Sequence, residues 1–203
     1  MSYTIGIIGS GNIGRGLATH LAKTQYKLLL TNRRGAESLT DLVVSIGGSL
    51  RAADLAETIH QADVLFLALP WSQLEGLAQA MAPYRGKILV DATNNVVSMS
   101  PFQLADIGGK TTGEYVADLF PHQRLVKAFN TLGAATLALP PQNDTGNRVI
   151  VLSGDDTEAK KVVADLAQSM GFAPIDLGTL AEGGKLQDMG NAFSGIELIK
   201  VSK

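Results

Sequence analysis

No cysteine occurs among the 203 residues, which excludes disulfide staples, thiolate metal sites and a cysteine nucleophile and fits a reducing compartment. Charge is scarce as well, at 18% of residues, with 17 Lys plus Arg against 19 Asp plus Glu for a net charge of −2. That balance supplies no basic field for nucleic acid or for an anionic membrane surface. Long apolar runs are missing: the most apolar stretch, Val64-Leu65-Phe66-Leu67-Ala68-Leu69-Pro70-Trp71, is far below the roughly 18 residues that mark a spanning helix. The N-terminus lacks the charged region, apolar stretch and small-residue cleavage site of an export signal. A cytoplasmic protein with small-molecule partners, no nucleic acid and no membrane is the resulting expectation.

Hydrophobic residues make up 45% of the chain, enough to build a core. Glycine is the outlier, with 22 residues where average usage gives about 14. Apolar runs of strand length alternate with helical patterns, the signature of a parallel sheet covered on both faces. Ile5 to Ile8, Lys27 to Thr31, Val64 to Leu69, Lys87 to Asp91 and Leu125 to Phe129 read as strands, with Ser49 to Ala52 a short one. Helices are expected over about Asn12 to Lys23, Ala36 to Ile46, Asp54 to His60 and Gln73 to Met81. From Val96 to Gly113 the pattern weakens into a loop over the sheet's edge or mouth. A last β-α-β unit follows, with strands at Arg148 to Leu152 and Ala173 to Asp176 around a helix that Asp156 caps. The fold class is α/β: a Rossmann-type doubly wound, mostly parallel sheet, in which 1–203 form a single nucleotide-binding domain and 147–203 a C-terminal extension packed on it.

Gly9-Ser10-Gly11-Asn12-Ile13-Gly14 matches G-x-G-x-x-G at the end of an apolar strand and the start of a helix. In that setting the first glycine makes the turn, the second lets a pyrophosphate reach the backbone and the third lets helix and strand pack. The position about 20 residues on, where an acid would bind a ribose 2′-hydroxyl, is Thr31, and Asn32-Arg33-Arg34 follow with no carboxylate before Glu37. A basic, polar end to the second strand points to NADP(H). Leu69-Pro70-Trp71-Ser72-Gln73 and Asp91-Ala92-Thr93-Asn94-Asn95 end later strands, where ligands of open α/β sheets bind. Trp71, the only tryptophan, is placed either as a pocket wall or as a packing residue. Asn94 and Asn130 are amides for a carboxamide or ribose, or else turn formers. Other chemistries fail: Gly109-Lys110-Thr111 has Leu104 where a phosphate loop needs glycine, and His20, His60 and His122 lack metal-ligand spacing. No metal is expected.

Through Gly9 to Gly14, Asn32-Arg33-Arg34, Leu69-Pro70-Trp71, Lys87 to Asp91, Val126-Lys127-Ala128-Phe129-Asn130 and Ser153-Gly154-Asp155, the chain resembles the NADPH-dependent deazaflavin reductase family. It is also similar to the cytosolic reductase domain of the six-transmembrane metalloreductases. The resemblance implies cofactor contacts from Ser10, Gly11, Asn12 and Ile13, 2′-phosphate contacts from Asn32 and Arg33, and nicotinamide-side contacts near Leu69, Gln73 and Ala134. A second basic residue of the deazaflavin enzymes falls here near Glu37, with Arg34 as its substitute. A flavin-side histidine is here Asn130, as in the metalloreductase-type domains. The expected activity is hydride transfer between NADPH and a flavin or deazaflavin, bound or as co-substrate, by a homodimer. Two alternatives stand beside it: a carbonyl or imine reductase using Lys185 or Asp188, and a non-catalytic NADP(H) sensor.

Overall fold

A computed structural model describes residues 3–201. The N-terminal part alternates β1 (Thr4–Ile8), α1 (Asn12–Leu21), β2 (Lys27–Thr31), α2 (Thr40–Ile46), β3 (Leu50–Ala52), α3 (Leu55–Gln61), β4 (Val64–Leu67), α4 (Leu74–Met81) and β5 (Ile88–Asp91). Short 3-10 turns at Ala36–Leu39 and Trp71–Gln73 lead into α2 and α4. A hairpin of β6 (Val96–Met99) and β7 (Phe102–Leu104) precedes α5 (Thr112–Leu119), β8 (Arg124–Ala128) and α6 (Ala134–Ala138). The rest comprises β9 (Gln142–Asn143), β10 (Gly146–Gly154), α7 (Thr157–Ser169), β11 (Ala173–Asp176), α8 (Gly183–Gln187) and β12 (Ile199–Val201).

The main sheet runs β3-β2-β1-β4-β5-β8-β10-β11, with β9 and β12 paired to β10. All neighbours from β3 to β8 are parallel; β10 is antiparallel to β8 and parallel to β11. Side chains alternate across a strand, so the run at β4 divides. Val64 and Phe66 join the core under α1 and α7, whereas Leu65 and Leu67 join the core with Trp71, Leu74, Val116 and Phe120. Burial on both faces is why β4 reads as an unbroken apolar word.

Three differences from the sequence reading have physical causes. The segment expected as a loop over 96–113 contains the β6–β7 hairpin, whose Val97, Met99 and Phe102 are exposed. Helix α5 went unread because its inward face uses Thr112, Gly113 and Val116, two of them small or polar; Gly113 admits Leu180 against it. Its visible signal is the capping box, in which Thr111 accepts from the Glu114 N–H and Glu114 accepts from the Thr111 N–H. Strand β4 stops at Leu67, two residues early: the Ala68 N–H still donates to the Ile8 carbonyl (2.9 Å), but Gly9 lies against the Ala68 carbonyl and Pro70 has no N–H to donate.

Candidate functional site

A cleft of about 780 Å³ opens at the carboxyl ends of β1, β2 and β4, where the strand order reverses on either side of β1. Its wall includes Gly9, Ser10, Gly11, Asn32, Arg33, Arg34, Leu69, Pro70 and Gln73. The sequence reading singled out all nine, and folding brings them to one place.

The three fingerprint glycines are glycine for different reasons. Gly9 has φ +116°, and a Cβ there would lie 2.0 Å from the Ala68 carbonyl oxygen. A Cβ on Gly14 would sit 1.9 Å from the Gly9 oxygen. Both are required by the protein itself. Gly11 is not, since a Cβ on it meets no atom within 4 Å. Gly11 is the N-cap of α1, which has no side-chain cap and no acidic residue in its first turn. Unpaired N–H groups and the positive end of the helix dipole therefore face the cleft, the arrangement that receives an anion.

The loop after β2 is tied to the glycine loop by one amide. Asn32 Nδ2 donates to Ser10 Oγ (3.0 Å), and Asn32 Oδ1 accepts from the Arg34 N–H (2.8 Å) and Ser38 Oγ (3.1 Å). Arg33 and Arg34 are exposed, and neither has an acidic partner among the described residues. The one carboxylate on the wall, Asp54, accepts from the Ala36 N–H (3.3 Å).

The other expected residues lie off this wall. Asn12 and Ile13 form the first turn of α1, and Gly14 is buried beneath it. Trp71 is buried and stacks on Tyr115 (5.4 Å between centroids, 30° between planes), the packing alternative of the two readings. Asn94 and Asn130, beyond β5 and β8, bond to each other: Asn94 Nδ2 donates to the Asn130 carbonyl (3.0 Å) and Asn130 Nδ2 to Asn94 Oδ1 (3.2 Å). Ala134 opens α6, which packs on α1 through the contact of His20 Nε2 with the Leu137 carbonyl (2.7 Å). Burial lowers the pKa of His20.

Beneath the Asn94–Asn130 pair lies a polar network that sequence reasoning missed. Lys127 and Asp91 are fully buried, with Lys127 Nζ 2.8 Å from Asp91 Oδ2 and 2.5 Å from the Thr93 carbonyl. Asp91 Oδ1 accepts from the Thr93 N–H and hydroxyl. Gln187, on α8, donates to the carbonyls of Lys127 and Val151 and accepts from Ser153 Oγ (2.6 Å), while its own carbonyl accepts from Asn130 Nδ2. A buried ion pair survives only with its remaining polar atoms satisfied, and here strand ends and α8 satisfy them. The available hint was a lysine inside a strand otherwise buried on both faces. Just past β8, Phe129 is buried with φ 65°, a conformation non-glycine residues rarely hold.

The remaining titratable candidates lie away from the cleft wall. His122 is exposed before β8, at the opposite end of the sheet from the cleft. Asp188 accepts from the Thr112 N–H and hydroxyl, and Lys185 is exposed on α8. Among the described residues no group of three His, Asp or Glu side chains forms a metal site, and no helix is long and apolar enough to cross a membrane.

A parallel sheet ordered β3-β2-β1-β4-β5, with a glycine turn and a helix start at its switch point, defines a Rossmann-type dinucleotide-binding domain. Residues 4–95 match the model of the family described as NADP oxidoreductase, coenzyme F420-dependent. The chain is 34% identical over 181 residues to the metalloreductase STEAP3 of Rattus norvegicus, a match covering 87% of this chain and 34% of that one. The chain thus spans about a third of the length of the metalloreductases it matches. To the F420-dependent NADP reductase of Methanocaldococcus jannaschii it is 28% identical over 188 residues, covering 85% of this chain and 82% of that protein. The crystal structure of hypothetical protein SMa0349 from Sinorhizobium meliloti superposes with a TM-score of 0.91 at 40% identity, covering 98% and 96% of the two chains.

Proposed function

We propose that this domain binds NADP(H) in the cleft and transfers hydride between the nicotinamide and a planar flavin or deazaflavin acceptor. The observation that carries the reading is the pairing of an open Gly11 with two arginines that have no acidic partner among the described residues, across one cleft. The N–H groups at the start of α1 receive the pyrophosphate. Arg33 and Arg34 take the 2′-phosphate by charge-assisted bonds, with Asn32 and Ser10 holding the two loops in register. On this reading Leu69, Pro70 and Gln73 line the path toward the nicotinamide, and Asn94, Asn130 and Ala134 border its far end. Bound NADPH supplies two electrons and a proton as hydride.

The acceptor class follows from what the cleft wall contains. Its single carboxylate, Asp54, sits with the arginine loop rather than at the nicotinamide end. Transfer between two stacked rings needs approach and orientation, about 3–3.5 Å between reacting atoms, and no protein acid in the hydride step. Reduction of a carbonyl or imine needs a positioned acid, and Asp188 is already engaged by Thr112. The homodimer and the cytoplasmic location belong to the same reading and rest on the resemblance and on composition; sedimentation tests the former.

The deciding experiment follows NADPH oxidation by absorbance with deazaflavin, free flavins, flavin plus ferric chelate and small carbonyl compounds in parallel. Turnover with deazaflavin or flavin supports direct hydride transfer. Turnover with carbonyls alone overturns it in favour of a reductase with a protein acid, and tight NADPH binding without turnover on any acceptor overturns it in favour of a sensor.

A further inference from the structure

The cleft wall contains a glycine that neither the glycine fingerprint nor the arginine loop explains. Gly76 is the third residue of α4, exposed between the buried Leu74 and Leu77. Glycine inside a helix is disfavoured against alanine, so its presence asks for a reason. Packing provides none, because a Cβ built on Gly76 meets no atom within 4 Å. Backbone conformation provides none either, since Gly76 is not among the positive-φ glycines. What Gly76 does is line the cleft, along with Leu77 and Leu55. Gly11 is the comparable case on the same wall: open space where a side chain would stand, with no claim on it from the protein.

The chemistry of the proposed ligand says what that space is for. In an adenosine 2′-phosphate the base and the phosphate hang from adjacent ribose carbons. A phosphate held by Arg33 and Arg34 therefore puts the purine at the same end of the cleft. Half-buried Leu55 follows Asp54, which accepts from the Ala36 N–H of the arginine loop, and the same wall includes the buried Leu77 and bare helix backbone at Gly76. A flat apolar-faced ring is accommodated by such a slot, and a side chain at 76 would narrow it.

Resting on the NADP(H) reading, we propose that Gly76 is a specificity-determining residue of the adenosine end: its missing side chain leaves the slot between Leu55 and Leu77 that admits the purine ring beside the 2′-phosphate. Calorimetric titration of the wild type, Gly76→Ala and Gly76→Leu with adenosine 2′,5′-bisphosphate and with NADPH tests it. The bisphosphate carries the purine and its phosphates without nicotinamide, so acceptor chemistry plays no part. Gly76→Leu is expected to weaken both ligands by at least about tenfold with unchanged circular dichroism, and Gly76→Ala to weaken them less. The alanine variant is expected to melt at or above the wild-type temperature, since alanine is the better helix former. Should the leucine variant fold poorly, the alanine variant decides. Wild-type binding with unchanged affinity in the folded variants overturns this inference alone. Failure of the wild type to bind either ligand overturns the NADP(H) reading and this inference with it.

Discussion

Gly11 and its two neighbours in the fingerprint separate ligand requirements from folding requirements. Replacing Gly11 by Val is expected to abolish NADPH binding and leave the circular dichroism spectrum intact, because Gly11 lines the cleft and a Cβ there meets no protein atom within 4 Å. Replacing Gly9 or Gly14 by Ala drives a methyl group to about 2 Å from a backbone oxygen, so those changes damage folding as well. Unchanged affinity in Gly11→Val refutes the pyrophosphate assignment. Arg33→Ala tests the other end of the cleft. A charge-assisted bond is worth about 1.5–3 kcal/mol, and exposure discounts it, leaving roughly a tenfold loss for NADPH. NADH, lacking the 2′-phosphate, is expected to be nearly unaffected, and equal losses for the two nucleotides sink the 2′-phosphate role.

Helix α7 shows how a local signal and a distant strand combine at the scale of one element. Its stripe of Ala159, Val163, Leu166 and Ala167 is buried at helical spacing, and Asp156 caps it by accepting from the Ala159 N–H (2.9 Å). The cap is legible in sequence; its second partner is not. Arg124 at the start of β8 grips the same carboxylate at 2.6 and 2.7 Å. The guanidinium first, and the Ala159 N–H second, hold the Asp156 carboxyl far below the usual carboxylate range. A folded-state pKa depressed in this way gives stability that is present above the unfolded value of about 3.9 and lost as pH falls through the folded value. Asp156→Ala is expected to cost about 1–2 kcal/mol in urea unfolding near neutral pH, from the lost cap and the partly exposed pair. The gap between wild type and Asp156→Asn should narrow as pH falls below about 4; a pH-independent gap refutes the ion-pair share. Helix α5 is the converse case, since its apolar periodicity is weak and only the Thr111–Glu114 capping box announced it.

For the molecule as a whole, one continuous sheet from β3 to β11 carries the two larger cores and a small third one at Val149, Val151 and Ala173, and the C-terminal segment is stitched in at both ends. Gln187 bonds to β8 and β10, and β12 pairs with β10 while Glu197 meets the buried Arg148 (2.6 Å). These contacts predict one cooperative unfolding transition. Trp71 fluorescence reports the core under α4 and α5, and far-UV circular dichroism reports the whole; their urea midpoints are expected to coincide, and separated midpoints argue for an independently unfolding extension. By itself the sequence determined the strands from β1 to β5, the glycine turn, the basic β2 end and hence the nucleotide-binding class, because periodicity, glycine spacing and charge are local properties of neighbouring residues. It left Trp71 undecided between cleft and core, and it was silent on Gly76, on the Asp91–Lys127 pair and on Gln187. Those depend on which side chains meet across 36 to 60 positions of chain. Only packing the strands and helices together brought Gln187 over the ends of β8 and β10, turned Trp71 onto Tyr115 and opened the space beside Gly76.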